Sequence, residues 1–326
     1  MIDLIRRPIE KEFLLYQETY RKALEPDNPI LSQVVQYLNG SLGKEIRPTI
    51  LLLSSALFGP VGQTSIKIAA SLQILHTASL LHDDVVDETY QRRSKNSINA
   101  IWKNKVAILS GDYYLSKVIE IAALSGRLDI ITEIGKLGAN LADGELAQLH
   151  VSQQQNPTEA SYFNIINKKT AQLFAFCAKA GAMASSAKAE DIRKLALFGE
   201  YLGIIFQLKD DSFDYILPDQ SGERPGKPIA NDLREGKVTL PLIYALENSD
   251  EKKARPYREI LAKRHFTKYN IRRMYRFAID NGGLNYMSEK MEEYKIKAQK
   301  ILDEFPTSEA KDSLTLCLEY VANRRI

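Results

Sequence analysis

Two short segments carry the chemistry of this chain: His82-Asp83-Asp84-Val85-Val86-Asp87 and, far downstream, Phe206-Gln207-Leu208-Lys209-Asp210-Asp211-Ser212-Phe213-Asp214. Each is an Asp-Asp-x-x-Asp set inside a stretch with helical spacing. On a helix, Asp83 and Asp87 stand four residues apart and share a face, as do Asp210 and Asp214. Asp84 and Asp211 lie about 100° around the axis, near the same rim. Carboxylates in apolar surroundings are costly unless they are paired or bind metal. Mg²⁺ takes a few carboxylates, several waters and phosphate oxygens. Two such sets facing one another would gather hard cations, and those cations would bind a diphosphate. A solvated acidic helix face is the plain alternative for either set alone. It weakens here because both sets follow apolar stripes, Leu72–Leu81 and Leu202–Phe206. The ligand spacing and turn glycine of an EF-hand are absent.

Basic residues stand where phosphate binders would be needed. Gly43-Lys44-Glu45-Ile46-Arg47-Pro48 reads as a glycine turn entering a helix, with Pro48 suited to the first helical position. Lys44 offers a point charge and Arg47 a fork that matches phosphate oxygens. Arg92-Arg93 follow the first aspartate set, and Lys168-Lys169-Thr170, Lys227 and Lys237 recur in the second half. Gln207 lies one turn before Asp210 and Asp211, placed to bond a metal-bound water or a phosphate. His76 lies about two turns before Asp83; it reads as a core histidine or, beside Lys44 and Arg47, as a phosphate donor. Each cation alone is more often a surface charge, so the weight lies in their joint placement. No Ser-His-Asp or Cys-His arrangement supports a nucleophilic mechanism, and no P-loop is present.

The elements that must position these groups are helices. Leu31, Val34, Val35 and Leu38 repeat at three- and four-residue steps, as do Ile68, Leu72, Leu75, Ala78 and Leu81, and Leu195, Phe198, Leu202, Ile205 and Phe206. Glycine and proline breaks between such stripes suit helices of about 12–25 residues joined by short loops. With 326 residues and no linker, one all-α domain over residues 1–326 is expected. A net charge of +3, without a long basic run, argues against nucleic acid. No apolar run approaches the ~20 residues of a membrane span, and the N-terminus lacks a signal-peptide core. A cytoplasmic protein is expected, with Cys177 and Cys317 as buried free thiols.

Taken in order, these motifs resemble the trans-isoprenyl diphosphate synthases, the polyprenyl synthetase family. Gly43-Lys44-x-x-Arg47-Pro48, Leu80-Leu81-His82-Asp83-Asp84-x-x-Asp87 with Arg92-Arg93, Gly111-Asp112, Gly144-Glu145-x-x-Gln148 and Lys169-Thr170-Ala171 all match. So do Phe206-Gln207-x-x-Asp210-Asp211-x-x-Asp214, Gly226-Lys227 through Pro241, and the terminal Arg324-Arg325. The pattern departs at Ser94 and Leu42, where glycines are common. The resemblance implies a helical bundle around a deep central cavity, a homodimer, and about two to three Mg²⁺ ions. It implies that Asp83, Asp84, Asp87, Asp210, Asp211 and Asp214 hold the metal. Arg92, Lys169, Thr170, Gln207, Lys227 and Lys237 would contact an allylic diphosphate, with Lys169 also counted among the catalytic residues. Lys44, Arg47, His76 and Arg93 would hold isopentenyl diphosphate.

In this family, bulk below the first aspartate set limits product length. Ala78 and Ser79 are small, with Leu75 a turn deeper. One helical turn matches one isoprene unit in length, so a product of roughly C30–C45 is expected. The floor is expected from a facing helix near Ile130–Leu137. A shorter product of roughly C15–C25 is the alternative if those small residues only serve packing. A non-catalytic subunit of a heteromeric synthase is a second alternative, opposed by two intact aspartate sets. A terpene cyclase or squalene-synthase-like enzyme would not need the Lys44–Arg47–His76 cradle. Peripheral membrane contact for product release completes the expectations.

Overall fold

The computed structural model describes residues 1–40, 43–92, 95–154, 157–215, 231–234 and 236–324. Its helices run α1 (Ile2–Arg6), α2 (Glu10–Ala23), α3 (Pro29–Asn39), α4 (Ile46–Ala56), α5 (Gln63–Val86), α6 (Ile98–Ala123), α7 (Leu128–Gln154) and α8 (Glu159–Ile166). They continue as α9 (Gln172–Ala184), α10 (Ala189–Phe213), α11 (Asn231–Arg234), α12 (Leu240–Asn248), α13 (Glu251–Ala262), α14 (Lys268–Asp280), α15 (Gly283–Asp303) and α16 (Glu309–Asn323). The only strands among the described residues form a small hairpin, β1 (Gln91–Arg92) and β2 (Lys95–Asn96), which links α5 to α6. The fold class is the all-α isoprenoid synthase type.

Most helix boundaries fall where local chemistry dictates. Asn28 caps α3 by accepting from the backbone N–H groups of Ile30 and Leu31, and Pro29 takes the first helical position. Thr158 and Ser161 form a capping box at α8. Pro48 lies third in α4, not first as the sequence suggested, because Glu45 occupies the cap position. Proline remains compatible there, since the first-turn N–H groups have no intrahelical acceptor. The helical periodicity also hides a kink: Lys103 inside α6 has φ 71°.

Helix α5 is the central element, with buried residues on every side, including Ile68, Leu72, Leu75, Ala78 and Asp84. It packs along α6, and more briefly along α2, α4 and α9. Helix α9 is in turn held between α4 and α10. Three glycines set that spacing. A Cβ at Gly181 would lie 2.2 Å from the Leu51 carbonyl oxygen, and one at Gly199 would lie 2.5 Å from that of Phe174. One at Gly203 would lie 2.6 Å from Ala171 Cα. Close backbone approach thus fixes how deep α10, which carries the second aspartate set, sits against α9, and α9 against α4. Cys177 and Cys317 are buried free thiols.

Gly181→Ala is expected to cost about 2 kcal/mol of unfolding free energy, because the obstacle is rigid backbone. Urea unfolding of the variant measures it, and an unchanged midpoint would mean that α4 and α9 separate without penalty.

Candidate active site

Each aspartate set sits at the C-terminal end of a long helix, with Asp87 as the C-cap of α5 and Asp214 as the C-cap of α10. Asp84 is buried at 5% exposure, and its Oδ1 accepts from Arg92 Nε at 3.0 Å and NH2 at 2.8 Å. The hairpin exists to bring Arg92 back over α5. Tyr37 Oη donates to the Asn96 carbonyl at 2.7 Å and pins its far strand to α3. Asn99 Nδ2 satisfies the Asp84 carbonyl at 2.9 Å. Asp87 Oδ2 accepts from Lys237 Nζ at 2.7 Å. Burial, and then the nearby Glu145 carboxylate, push the Asp83 carboxyl up to about 7 against the opposing pull of Lys169.

The second set is tied down as firmly. Asp211 accepts from Tyr162 Oη at 2.5 Å and from Gln207 Nε2 at 2.7 Å. Thr170 Oγ1 donates to Gln207 Oε1 at 2.8 Å, so Thr170, Gln207 and Asp211 form one chain. Burial and the Asp232 charge push the Asp211 carboxyl upward. Asp210 Oδ1 accepts from Arg324 NH2 at 2.6 Å, and the Arg324 guanidinium stacks 3.8 Å from the Phe206 ring centroid. Asp214 Oδ2 accepts from the Asp232 backbone N–H at 3.3 Å.

Two connections bring the sets together. The short stretch from Asp232 to Lys237 touches Asp214 at one end and Asp87 at the other. The other connection is a π-helical turn, Asn167–Ala171, which interrupts α8 and α9. Such turns present side chains that a regular helix would rotate away. Here Thr170 reaches the second set, while the Lys169 charge acts on Asp83. Lys169 Nζ also donates to Glu145 Oε2 at 2.7 Å and Gln148 Oε1 at 2.8 Å. Lys168 pairs with Asp143. Gly144 makes room for this turn, since a Cβ there would meet Lys168 Cβ at 2.8 Å.

A separate cationic group forms at the start of α4. Arg47 NH1 lies 3.0 Å from His76 Nε2, and its guanidinium sits 4.7 Å from the Phe174 centroid and 5.8 Å from that of Phe206. Lys44 is exposed, 5.5 Å above the Tyr320 ring. Phe206 therefore lies between the Arg47 cluster and the Arg324–Asp210 pair. Arg93 and Lys227, expected to bind substrate, lie outside the described residues.

Below the first set, Ser79 shares a face with Asp83 and Asp87 and is partly exposed. Leu75 and Ala78 are buried. Ala78 shares its face with Ser71 and His82, which bond the α6 carbonyls of Val118 and Ile108, so it faces α6. Helix α7 buries Ile130, Ile134 and Leu137. A cavity of about 220 Å³ opens beside the second set. Lys169, Thr170, Gln207, Asp211, Asp232 and Lys237 line its polar end, and Ile165, Val238, Leu261 and Phe266 its apolar end.

Sequence reasoning recognised Glu145, Gln148 and Arg324 as motif residues without giving them partners. The three-residue spacing of Glu145 and Gln148 already placed both on the side of α7 that meets Lys169. Tyr162 gave no signal, since its bond to Asp211 spans 49 residues.

Among the described residues, no three carboxylate, imidazole or thiol groups converge as a ready cage for one ion. Mg²⁺ would need only one or two carboxylates of each set, because it keeps several waters and takes substrate phosphates at its remaining positions. Asp83 beside Glu145 and Asp87 supplies a like-charge cluster that a bound cation would relieve. Without a ligand, the folded Asp83 carboxyl holds its proton to about pH 7, whereas the unfolded chain releases it near about pH 4. Between these limits the native state binds more protons, so this group's contribution to stability falls as pH rises. In chelator, Asp83→Asn should be more stable than wild type by an amount that grows through that window and then levels off. Urea unfolding across pH measures it, and a pH-independent difference would contradict the assignment.

A profile of the family described as Polyprenyl synthetase matches residues 28–278. Octaprenyl diphosphate synthase from Haemophilus influenzae is 32% identical over 321 residues, covering 98% of this chain and 96% of that protein. The structure of a polyprenyl synthase from Caulobacter crescentus, complexed with calcium and isoprenyl diphosphate, superposes with a TM-score of 0.92. It is 30% identical and covers 100% of this chain and 98% of its own. A geranylgeranyl pyrophosphate synthase from Bacteroides thetaiotaomicron gives a TM-score of 0.85 at 36% identity, with 99% of each chain covered. Two aspartate-bearing helix ends drawn together by lysines and arginines thus recur in a chain that matches these enzymes over nearly its whole length: it belongs to the polyprenyl synthetase family.

Proposed function

We propose that this protein condenses isopentenyl diphosphate with an allylic diphosphate and repeats the step to a product of roughly C30–C45. The observation that carries the reading is the junction of the two aspartate sets through Lys237 and Lys169, with the Lys44, Arg47 and His76 group set apart from it. Two diphosphates need two cationic sites, and a cyclase acting on one substrate needs only the first.

In this reading Asp83, Asp84, Asp87, Asp210, Asp211 and Asp214 hold about two to three Mg²⁺ ions. When bound, these ions neutralise the leaving diphosphate and ease C–O cleavage. Arg92, Lys169 and Lys237, now bonded to carboxylates, exchange those partners for oxygens of the allylic diphosphate. Thr170 and Gln207 offer a hydroxyl and an amide to the same group. Lys44, Arg47 and His76 hold isopentenyl diphosphate so that its double bond faces the allylic carbon. The C–O bond breaks with its electron pair on the diphosphate. The double bond then attacks the allylic cation, and the departing diphosphate takes the proton lost in restoring the alkene. The calcium in the Caulobacter complex supports a divalent-ion site.

Ser79 leaves space beneath the first set for a growing tail, and α7 provides the opposing wall through Ile134 and Leu137. A shorter product remains a second reading. It is favoured by the resemblance to the Bacteroides enzyme and by Ala78, which faces α6 and leaves Ser79 alone to open the wall. Exposed Ile101, Ile108, Leu115 and Ile119 form a stripe along α6, and Leu146 and Leu149 extend it on α7. An apolar surface of this kind supports a homodimer. Among the described residues no helix is long and apolar enough to cross a membrane. We place the protein in the cytoplasm as a single domain, with product release at a membrane surface.

Labelled isopentenyl diphosphate with geranyl, farnesyl or geranylgeranyl primer tests the reaction, and chromatography reports product length. Asp83→Ala and Asp210→Ala should each lower turnover by about a thousandfold without unfolding the protein. Near-wild-type turnover in both would remove the metal assignment. Ser79→Phe should shorten the product by several isoprene units, and an unchanged profile would remove the wall from α5.

A further inference from the structure

Glu45 is an unlikely neighbour for a phosphate site. It lies between Lys44 and Arg47, where a carboxylate would repel the anion those cations attract. It also adopts a left-handed backbone, φ 40° and ψ 46°, which is unfavourable for a residue with a Cβ. Its surroundings hold it there. Tyr16 Oη donates to Glu45 Oε1 at 2.7 Å and Gln17 Nε2 donates to Oε2 at 3.0 Å, both from α2. Arg6 NH2 donates to the Lys44 carbonyl at 2.6 Å and the Glu45 carbonyl at 3.4 Å. Arg6 Nε donates to Thr49 Oγ1 at 3.0 Å. Tyr16 is fully buried, so this anchor is rigid.

We propose that Glu45, clamped by Tyr16 and Gln17, is a positioning residue for isopentenyl diphosphate. The clamp turns its carboxylate toward α2 and away from the cradle. The left-handed turn that results aims Lys44 and Arg47 at the same anion. Helices α1 and α2, which hold Lys44, Glu45 and Thr49 through Arg6, Tyr16 and Gln17, thereby tune affinity for one substrate and not the other. This rests on the assignment of Lys44, Arg47 and His76 to isopentenyl diphosphate.

Tyr16→Phe keeps the packing and removes the stronger anchor. It should raise both the KM and the calorimetric Kd for isopentenyl diphosphate about fivefold. The KM for the allylic diphosphate and kcat should stay within about twofold of wild type. Adding Glu45→Gln should restore part of the lost affinity, because the loosened side chain no longer carries charge although the turn stays less firmly held. Gln17→Leu provides the same test if Tyr16→Phe fails to fold. Unchanged affinity for isopentenyl diphosphate, an equal loss for both substrates, or no restoration by Glu45→Gln would overturn the proposal while wild-type activity stands. A wild type that incorporates no isopentenyl diphosphate would overturn the proposal together with the reading it rests on.

Discussion

Six carboxylates gathered at two helix C-termini are the constraint around which the molecule is built. Unsatisfied carbonyls give a helix C-terminus a partial negative charge, so aspartates are disfavoured there. The cost grows where burial removes water, as at Asp84, Asp211 and Asp214. The fold meets it with neutral donors at Asp211 and Asp214, and with cations drawn from separate parts of the chain at Asp84, Asp87 and Asp210. A two-residue-stranded hairpin returns Arg92, a π turn presents Lys169, the stretch after α11 supplies Lys237, and the end of α16 delivers Arg324. Each of these irregular pieces makes sense as a carrier of one positive charge.

Those pairings also explain how the site can stay folded and still be ready for substrate. A carboxylate bonded to arginine or lysine is satisfied, and in the proposed reaction that bond would exchange for one to a polyanion. Asp83 differs. It faces Glu145 and Asp87, and its carboxyl is pushed up, so a bound cation would relieve it.

Helical class, helix spacing and both aspartate sets were legible in the sequence because they depend on local periodicity. Asp83 and Asp87 had to share a face once α5 was a helix. Long-range partners were less legible. Nothing near Tyr162 indicates that its hydroxyl ends on Asp211, and nothing near Arg324 indicates Asp210. The facing of Ala78 toward α6 depends on how α5 rotates against its neighbours, which glycine contacts and buried hydroxyls decide together. Pro48 illustrates a local limit: its preference for an early helical position was read correctly to within one turn, but the left-handed Glu45 moved the boundary.

The most direct test is a crystal structure with Mn²⁺ and an allylic thiolodiphosphate that cannot ionise, using anomalous scattering to locate the ions. The account predicts ions within about 2.2 Å of oxygens from both aspartate sets, shared with the diphosphate, and Lys237 moved from Asp87 to a phosphate oxygen. Ions bound elsewhere, or a bound diphosphate with the Lys237–Asp87 pair intact and no metal between the sets, would contradict it.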